Sequence, residues 1–140
     1  MSSAPAPTVW PVLHYDDTNA ALVFLVEAFG FEAALAVRDD EGDVIHAEMR
    51  WPDGGALVFG STKHVDSVHG EMRAGTSACY VITDDPEAVF ERAAAANAEI
   101  VERPHETAFG SGVPTRAFTA RDPEGNLWTF GTYRGAAEPS

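Results

Sequence analysis

Arg121-Asp122-Pro123-Glu124-Gly125-Asn126-Leu127-Trp128 lies near the end of the 140-residue chain, and its first half echoes Arg50-Trp51-Pro52-Asp53-Gly54, 71 residues earlier. In each run proline fixes φ near −65° and glycine tolerates positive φ, so both read as tight turns between strands. Working outward from the second turn, Thr115 to Arg121 and Leu127 to Tyr133 form a hairpin, preceded by a strand from Glu99 to Arg103. Outward from the first turn, Val44 to Trp51 and Ala56 to Gly60 form the matching hairpin, preceded by Phe31 to Arg38. The segments before these strands repeat as well. Asp16-Asp17 recurs as Asp84-Asp85 at an offset of 68, each following a short strand (Val9 to Tyr15, Ser77 to Thr83) and each opening a helix (Ala20 to Phe29, Ala88 to Ala96). The order is therefore βαβββ twice, an α+β chain of tandem modules over 9–60 and 77–133. The polar segment from Ser61 to Gly75 is the linker, and 1–8 and 134–140 are flexible tails.

Composition fits one independently folding domain, since 140 residues with 45% hydrophobic content bury a sizeable core without staples. A single cysteine, Cys79, allows no internal disulfide and no zinc spacing, which favours a cytoplasmic setting. No apolar run is long enough to cross a membrane. Net charge is −13, so the chain repels phosphate backbones and anionic lipid, and its scattered arginines form no nucleic-acid groove. Neither nucleic acid nor membrane is an expected partner. The same charge attracts cations. No GxSxG, P-loop or GxGxxG pattern supports nucleophilic or nucleotide chemistry.

The tandem βαβββ order, the Asp-Asp pair before a helix ending Ala28-Phe29-Gly30-Phe31, and the closing Arg121-to-Trp128 run together resemble the vicinal oxygen chelate superfamily of glyoxalases, bleomycin-resistance proteins and extradiol dioxygenases. The resemblance spans about residues 9 to 133 and implies two curled sheets forming a cup, often completed by a second subunit. Metal-dependent members carry ligands at four strand positions, which fall here on Trp10, on Val58 or Phe59, on Ala78 and on Thr129. Indole, alkyl and phenyl groups cannot replace a cation's hydration shell, and one hydroxyl is a poor substitute for a carboxylate. The expectation is a branch without a metal or other cofactor, similar to the bleomycin-resistance proteins.

Strand alternation selects the residues that face the cup. Trp10, Val12 and His14 project together, and His46, Glu48 and Arg50 oppose an apolar set of Ile45, Ala47, Met49 and Trp51 that should face the helix. Trp10 is either a stacking platform for a flat or cationic ligand or a core-filling side chain. Tyr80 shares a face with Ala78 and Ile82; Phe109 lies on a candidate flap from Pro104 to Pro114; Trp51, Trp128 and Phe130 read as core. His64, His69 and His105 read as exposed loop residues without partners. The expected ligand-binding set is Trp10, His14, His46, Glu48, Tyr80, Phe109 and Thr129. The leading reading is a homodimeric protein that sequesters a small organic ligand, cationic or aromatic, as in antibiotic resistance. Two alternatives stay open: a metal-dependent lyase or isomerase of the glyoxalase type using a displaced site of His14, His46 and Glu48, and a non-catalytic interaction subunit.

Overall fold

Asp17 starts the first helix and Asp85 the second by the same contact, a side-chain oxygen accepting the backbone N–H three residues on (Ala20 at 3.1 Å, Ala88 at 3.0 Å). In the computed structural model, which describes residues 8–64, 66, 68–108 and 114–135, the helices are α1 (Thr18–Phe24) and α2 (Pro86–Ala95). The strands are β1 (Val12–Tyr15), β2 (Glu32–Arg38), β3 (Val44–Arg50), β4 (Ala56–Ser61), β5 (Ala78–Ile82), β6 (Glu99–Thr107), β7 (Thr115–Arg121) and β8 (Leu127–Gly131). They make two four-stranded mixed sheets of identical topology, β1-β4-β3-β2 and β5-β8-β7-β6. In each, the first strand pairs parallel to the last and the others are antiparallel. The turns repeat with the sequence: Trp51 N bonds Gly55 O as Asp122 N bonds Asn126 O, both at 3.1 Å. No helix among the described residues is long and apolar enough to cross a membrane.

Three local readings of the sequence change. The first helix ends in a π-helical turn, Leu25–Phe29, where Phe31 N reaches Leu25 O at 3.1 Å and Gly30 closes it at φ +89°. Arg92 of α2 caps this turn, donating to the carbonyls of Glu27 and Val26 at 2.9 and 3.1 Å. Ile45 is 40% exposed, because a register shift around Val37/Arg38 puts Val44 into the core position that simple alternation gave to Ile45. The strand expected to stop at Arg103 continues to Thr107, with Pro104 accommodated at a register shift between Glu102 and His105. The tails (1–7 and 136–140) and flap residues 109–113, including Phe109, lie outside the described residues.

One core joins the modules. Phe29 from the π turn meets Phe130 at 4.8 Å and Trp128 at 5.4 Å, while Phe31 meets Trp51 at 5.0 Å. Leu13, Tyr15, Met49, Leu57 and Phe59 enter from the first sheet, and Phe118, Ala120, Trp128 and Phe130 from the second. Within this core sits a carboxylate, Asp122, 5% exposed. Its Oδ2 accepts from Tyr15 Oη (2.6 Å), Asn126 Nδ2 (2.9 Å) and Trp128 Nε1 (3.1 Å), and its Oδ1 from the backbone N–H groups of Glu124 and Asn126.

Burial first, and the Asp122 carboxylate next, hold the Tyr15 phenol above its ordinary pKa of 10.0. A raised acid pKa means that the folded state favours the protonated phenol. That contribution is fully present below pH 10 and is lost as pH rises beyond it. Tyr15→Phe should therefore cost about 1–3 kcal/mol in urea unfolding at pH 7, and the gap to the parent protein should shrink above pH 10. A gap that stays constant into the alkaline range would contradict the assignment.

Candidate functional site

The faces of both sheets turned away from the core carry His14, His46, Glu48, Tyr80 and Thr129, whereas Trp10, expected on the first strand, lies just before β1 begins at Val12. Val12 pairs with Val58, Val58 with Glu48 and Glu48 with Leu35, forming one row across the first sheet. Phe59 is wholly buried in the core, so Val58 is the outward residue and the one-residue ambiguity at the family's ligand position is resolved. His14 pairs with Gly60 and His46 with Val37 on the same sheet. His46 Nε2 lies 2.9 Å from Glu48 Oε2, with 42% and 33% of their side chains exposed. His14 turns instead to His69, ring centroids 5.1 Å apart. Partial burial, then the charge of His69, lowers the His14 pKa, so neutral imidazole is favoured there. Donor atoms of His14, His46 and Glu48 do not gather within 4.8 Å of one another. The displaced trio is therefore two separate contacts.

On the second sheet Thr129 pairs with Tyr80, and its hydroxyl is bonded to Thr119 at 2.8 Å. The four positions that would hold the family's metal read Trp10, Val58, Ala78 and Thr129, three without a donor atom suited to a divalent cation and one with a hydroxyl already engaged. These residues do not fit a metal. His64, His69 and His105 are exposed as expected, but none is without a partner: His69 faces His14, His64 contacts Asp39 at 3.1 Å, and His105, inside β6 rather than a loop, bonds the Arg103 carbonyl oxygen through Nδ1 at 2.8 Å.

Trp10 and Tyr80 meet around one groove of about 990 Å³ that runs past the start of β4 and along β5. Trp51, Arg50, Glu32, Asp53 and Arg134 line it with them. Trp10 is 44% and Tyr80 43% exposed, which leaves aromatic surface available at the groove. Trp51, expected in the core, packs against it while its indole N–H donates to Ile82 O at 3.0 Å, fixing one groove wall across the modules. Tyr80 Oη donates to Tyr133 O at 2.6 Å, and burial is the main influence raising its pKa, so the phenol stays neutral near pH 7. Arg134 is paired with Asp84 at 2.6 Å, leaving Glu32 and Asp53 against Arg50 in the remaining lining. Alternation could have placed Arg50, but nothing in the sequence marks Arg134 as a groove residue.

This architecture is that of a known class. The model of the Glyoxalase/Bleomycin resistance protein/Dioxygenase superfamily matches residues 9–130, and the chain belongs to that superfamily. TioX from Micromonospora sp. ML1 is a similar solved structure, with 28% identity, a TM-score of 0.71, and 89% of this chain and 98% of that one covered. An integron cassette protein from the mobile metagenome of V. Pseudocholerae superposes with a TM-score of 0.70 at 21% identity, covering 96% and 100%. A lactoylglutathione lyase from Agrobacterium tumefaciens does so at 0.66 and 19%, covering 91% and 93%. At those last two identities the likeness shows the fold alone. No curated protein matches by sequence.

Gly131 keeps Tyr80 in place. A Cβ there would come within 2.9 Å of the Tyr80 hydroxyl and 3.1 Å of its ring, besides 3.2 Å of Ala117 Cβ. Gly131→Ala should push the Tyr80 ring from its seat and cost about 1–3 kcal/mol. Repeating the substitution in a Tyr80→Ala background should cost less; an equal cost in both backgrounds would show that Tyr80 does not press on Gly131.

Proposed function

We propose that this protein binds a small organic ligand, aromatic or cationic, in the groove at Trp10 and Tyr80, without a metal. The observation that carries the reading is the pairing of those two half-exposed aromatic side chains on one groove. At the family's metal positions, moreover, this chain offers an indole, two alkyl groups and a hydrogen-bonded hydroxyl. An indole face attracts a cation or stacks on a flat ring, and the net charge of −13 raises the local concentration of cations. Sequestration of such a ligand in the cytoplasm, without turnover, is the biochemical role that follows, and resistance to a toxic aromatic cation is its simplest use.

The working unit is a homodimer. Val12 on the β1 edge, and Leu35 and Val37 on the β2 edge, are 44%, 45% and 41% exposed on the face of the first sheet turned away from the core, apolar side chains that a second copy would cover. Sedimentation should give about twice the 15.0 kDa chain mass at micromolar concentration, and a monomer there would contradict it.

Tryptophan-fluorescence titration with a panel of planar aromatic cations tests the ligand class. Saturable quenching should weaken about 2- to 30-fold in Trp10→Ala, the range set by a cation over an aromatic face, and should be indifferent to a chelator. Binding that requires added metal, or that survives Trp10→Ala undiminished, would contradict the reading.

A further inference from the structure

We propose that Asp39, Asp43 and His64 form a binding site for a divalent transition-metal ion, one that ties the β2–β3 turn to the segment following β4. The site shares no lining residue with the Trp10–Tyr80 groove, and it does not depend on how that groove is used.

The turn Asp39-Asp40-Glu41-Gly42-Asp43 is held by its own carboxylate. Asp39 Oδ1 accepts the backbone N–H groups of Glu41 and Asp43 at 2.9 and 3.0 Å. This leaves Asp39 Oδ2 directed at His64, 3.1 Å from Nε2. Asp43 is oriented from the other side, its Oδ1 accepting from Thr18 Oγ at 2.6 Å, while Thr18 Oγ itself accepts from Val44 N at 2.8 Å. Asp43 Oδ2 then lies 3.6 Å from the same His64 nitrogen. In each aspartate one oxygen is engaged and the other points at a single imidazole nitrogen.

That nitrogen carries at most one proton and can satisfy one of the two oxygens. The second, Asp43 Oδ2, is enclosed and makes no hydrogen bond of good geometry. A buried acceptor left this way is costly, and a bound ion is one of its recognised explanations. The distances fit that explanation. Tetrahedral metal arms of about 2.0–2.2 Å separate neighbouring ligand atoms by about 3.3–3.6 Å; the histidine nitrogen stands 3.6 Å from Asp43 Oδ2, within that range, and 3.1 Å from Asp39 Oδ2, a small shift short of it. All three donor atoms lie within 4.8 Å of one another, with His64 arriving from a different segment of the chain.

Donor type narrows the ion. Two carboxylate oxygens and one imidazole nitrogen suit Zn²⁺, Mn²⁺, Fe²⁺ or Ni²⁺, whereas Ca²⁺ takes six to eight oxygens. Lys63 opposes a cation. Asp16, Asp17 and Glu41 line the same depression of about 690 Å³ and outweigh it, and the opening leaves room for water as the remaining ligands.

Calorimetric titration of tag-free protein with Zn²⁺ or Mn²⁺ alone tests the assignment. One ion per chain should bind, with affinity falling at least about tenfold in both His64→Ala and Asp39→Asn, a loss of about 1.4 kcal/mol or more. Asp39→Asn keeps the Oδ1 acceptor that the turn needs, and His64 has 47% of its side chain exposed, so both variants retain the fold. His46→Ala should bind as the parent does, and the metal should raise the thermal midpoint of the parent but not of His64→Ala. Absence of saturable binding at millimolar metal, undiminished binding in His64→Ala, or loss in His46→Ala would each overturn the proposal.

Discussion

The Asp122 carboxylate is the contact on which the rest of the molecule depends. Removing a carboxylate from water is expensive unless every lone pair finds a donor. Here five donors converge on it, and one of them, Tyr15, comes from the other module. The same turn sends Glu124 to the backbone N–H groups of Asp16 and Asp17 at 2.7 and 2.8 Å, next to the N-terminal end of α1. A single five-residue turn thus satisfies itself, anchors the Trp128 indole and fastens the second module to the strand–helix corner of the first.

Function follows from what that fastening leaves outside. With Tyr15, Leu13 and Phe59 drawn inward, period-two alternation turns Val12, His14 and Val58 outward. With Trp128 and Phe130 drawn inward, Thr129 turns outward and Tyr80 lies over Gly131. Trp51 bridges the modules through Ile82 O, and the groove opens beside that bridge. The chain keeps the superfamily's scaffold, and the strand positions that hold metal ligands in metal-dependent members read Trp10, Val58, Ala78 and Thr129 here.

Much of this is legible in the sequence. The offsets of 68 and 71 residues correspond to structurally equivalent helix caps and turns, and Trp128 and Phe130 are core residues as alternation required. What escaped was set by tertiary contacts. The π turn depends on packing around Phe29, Ile45 was displaced by a register shift, and Pro104 hid the length of β6. The histidines escaped for a related reason: His64 and His69 find partners 25 and 55 residues away in sequence, at Asp39 and His14, and no local pattern announces such pairs. Trp51 serves both core and groove, a double role that an inside-or-outside reading cannot express.

The most direct test of the central claim is an indole N–H spectrum of ¹⁵N-labelled protein titrated with a planar aromatic cation, since Trp10, Trp51 and Trp128 give three resolvable probes at known depths. The Trp10 signal should move progressively to saturation and furthest of the three, while that of Trp128, which also lines the groove but whose N–H is held by Asp122 in the core, should move least. Saturable binding that leaves Trp10 unmoved would contradict a ligand site in this groove.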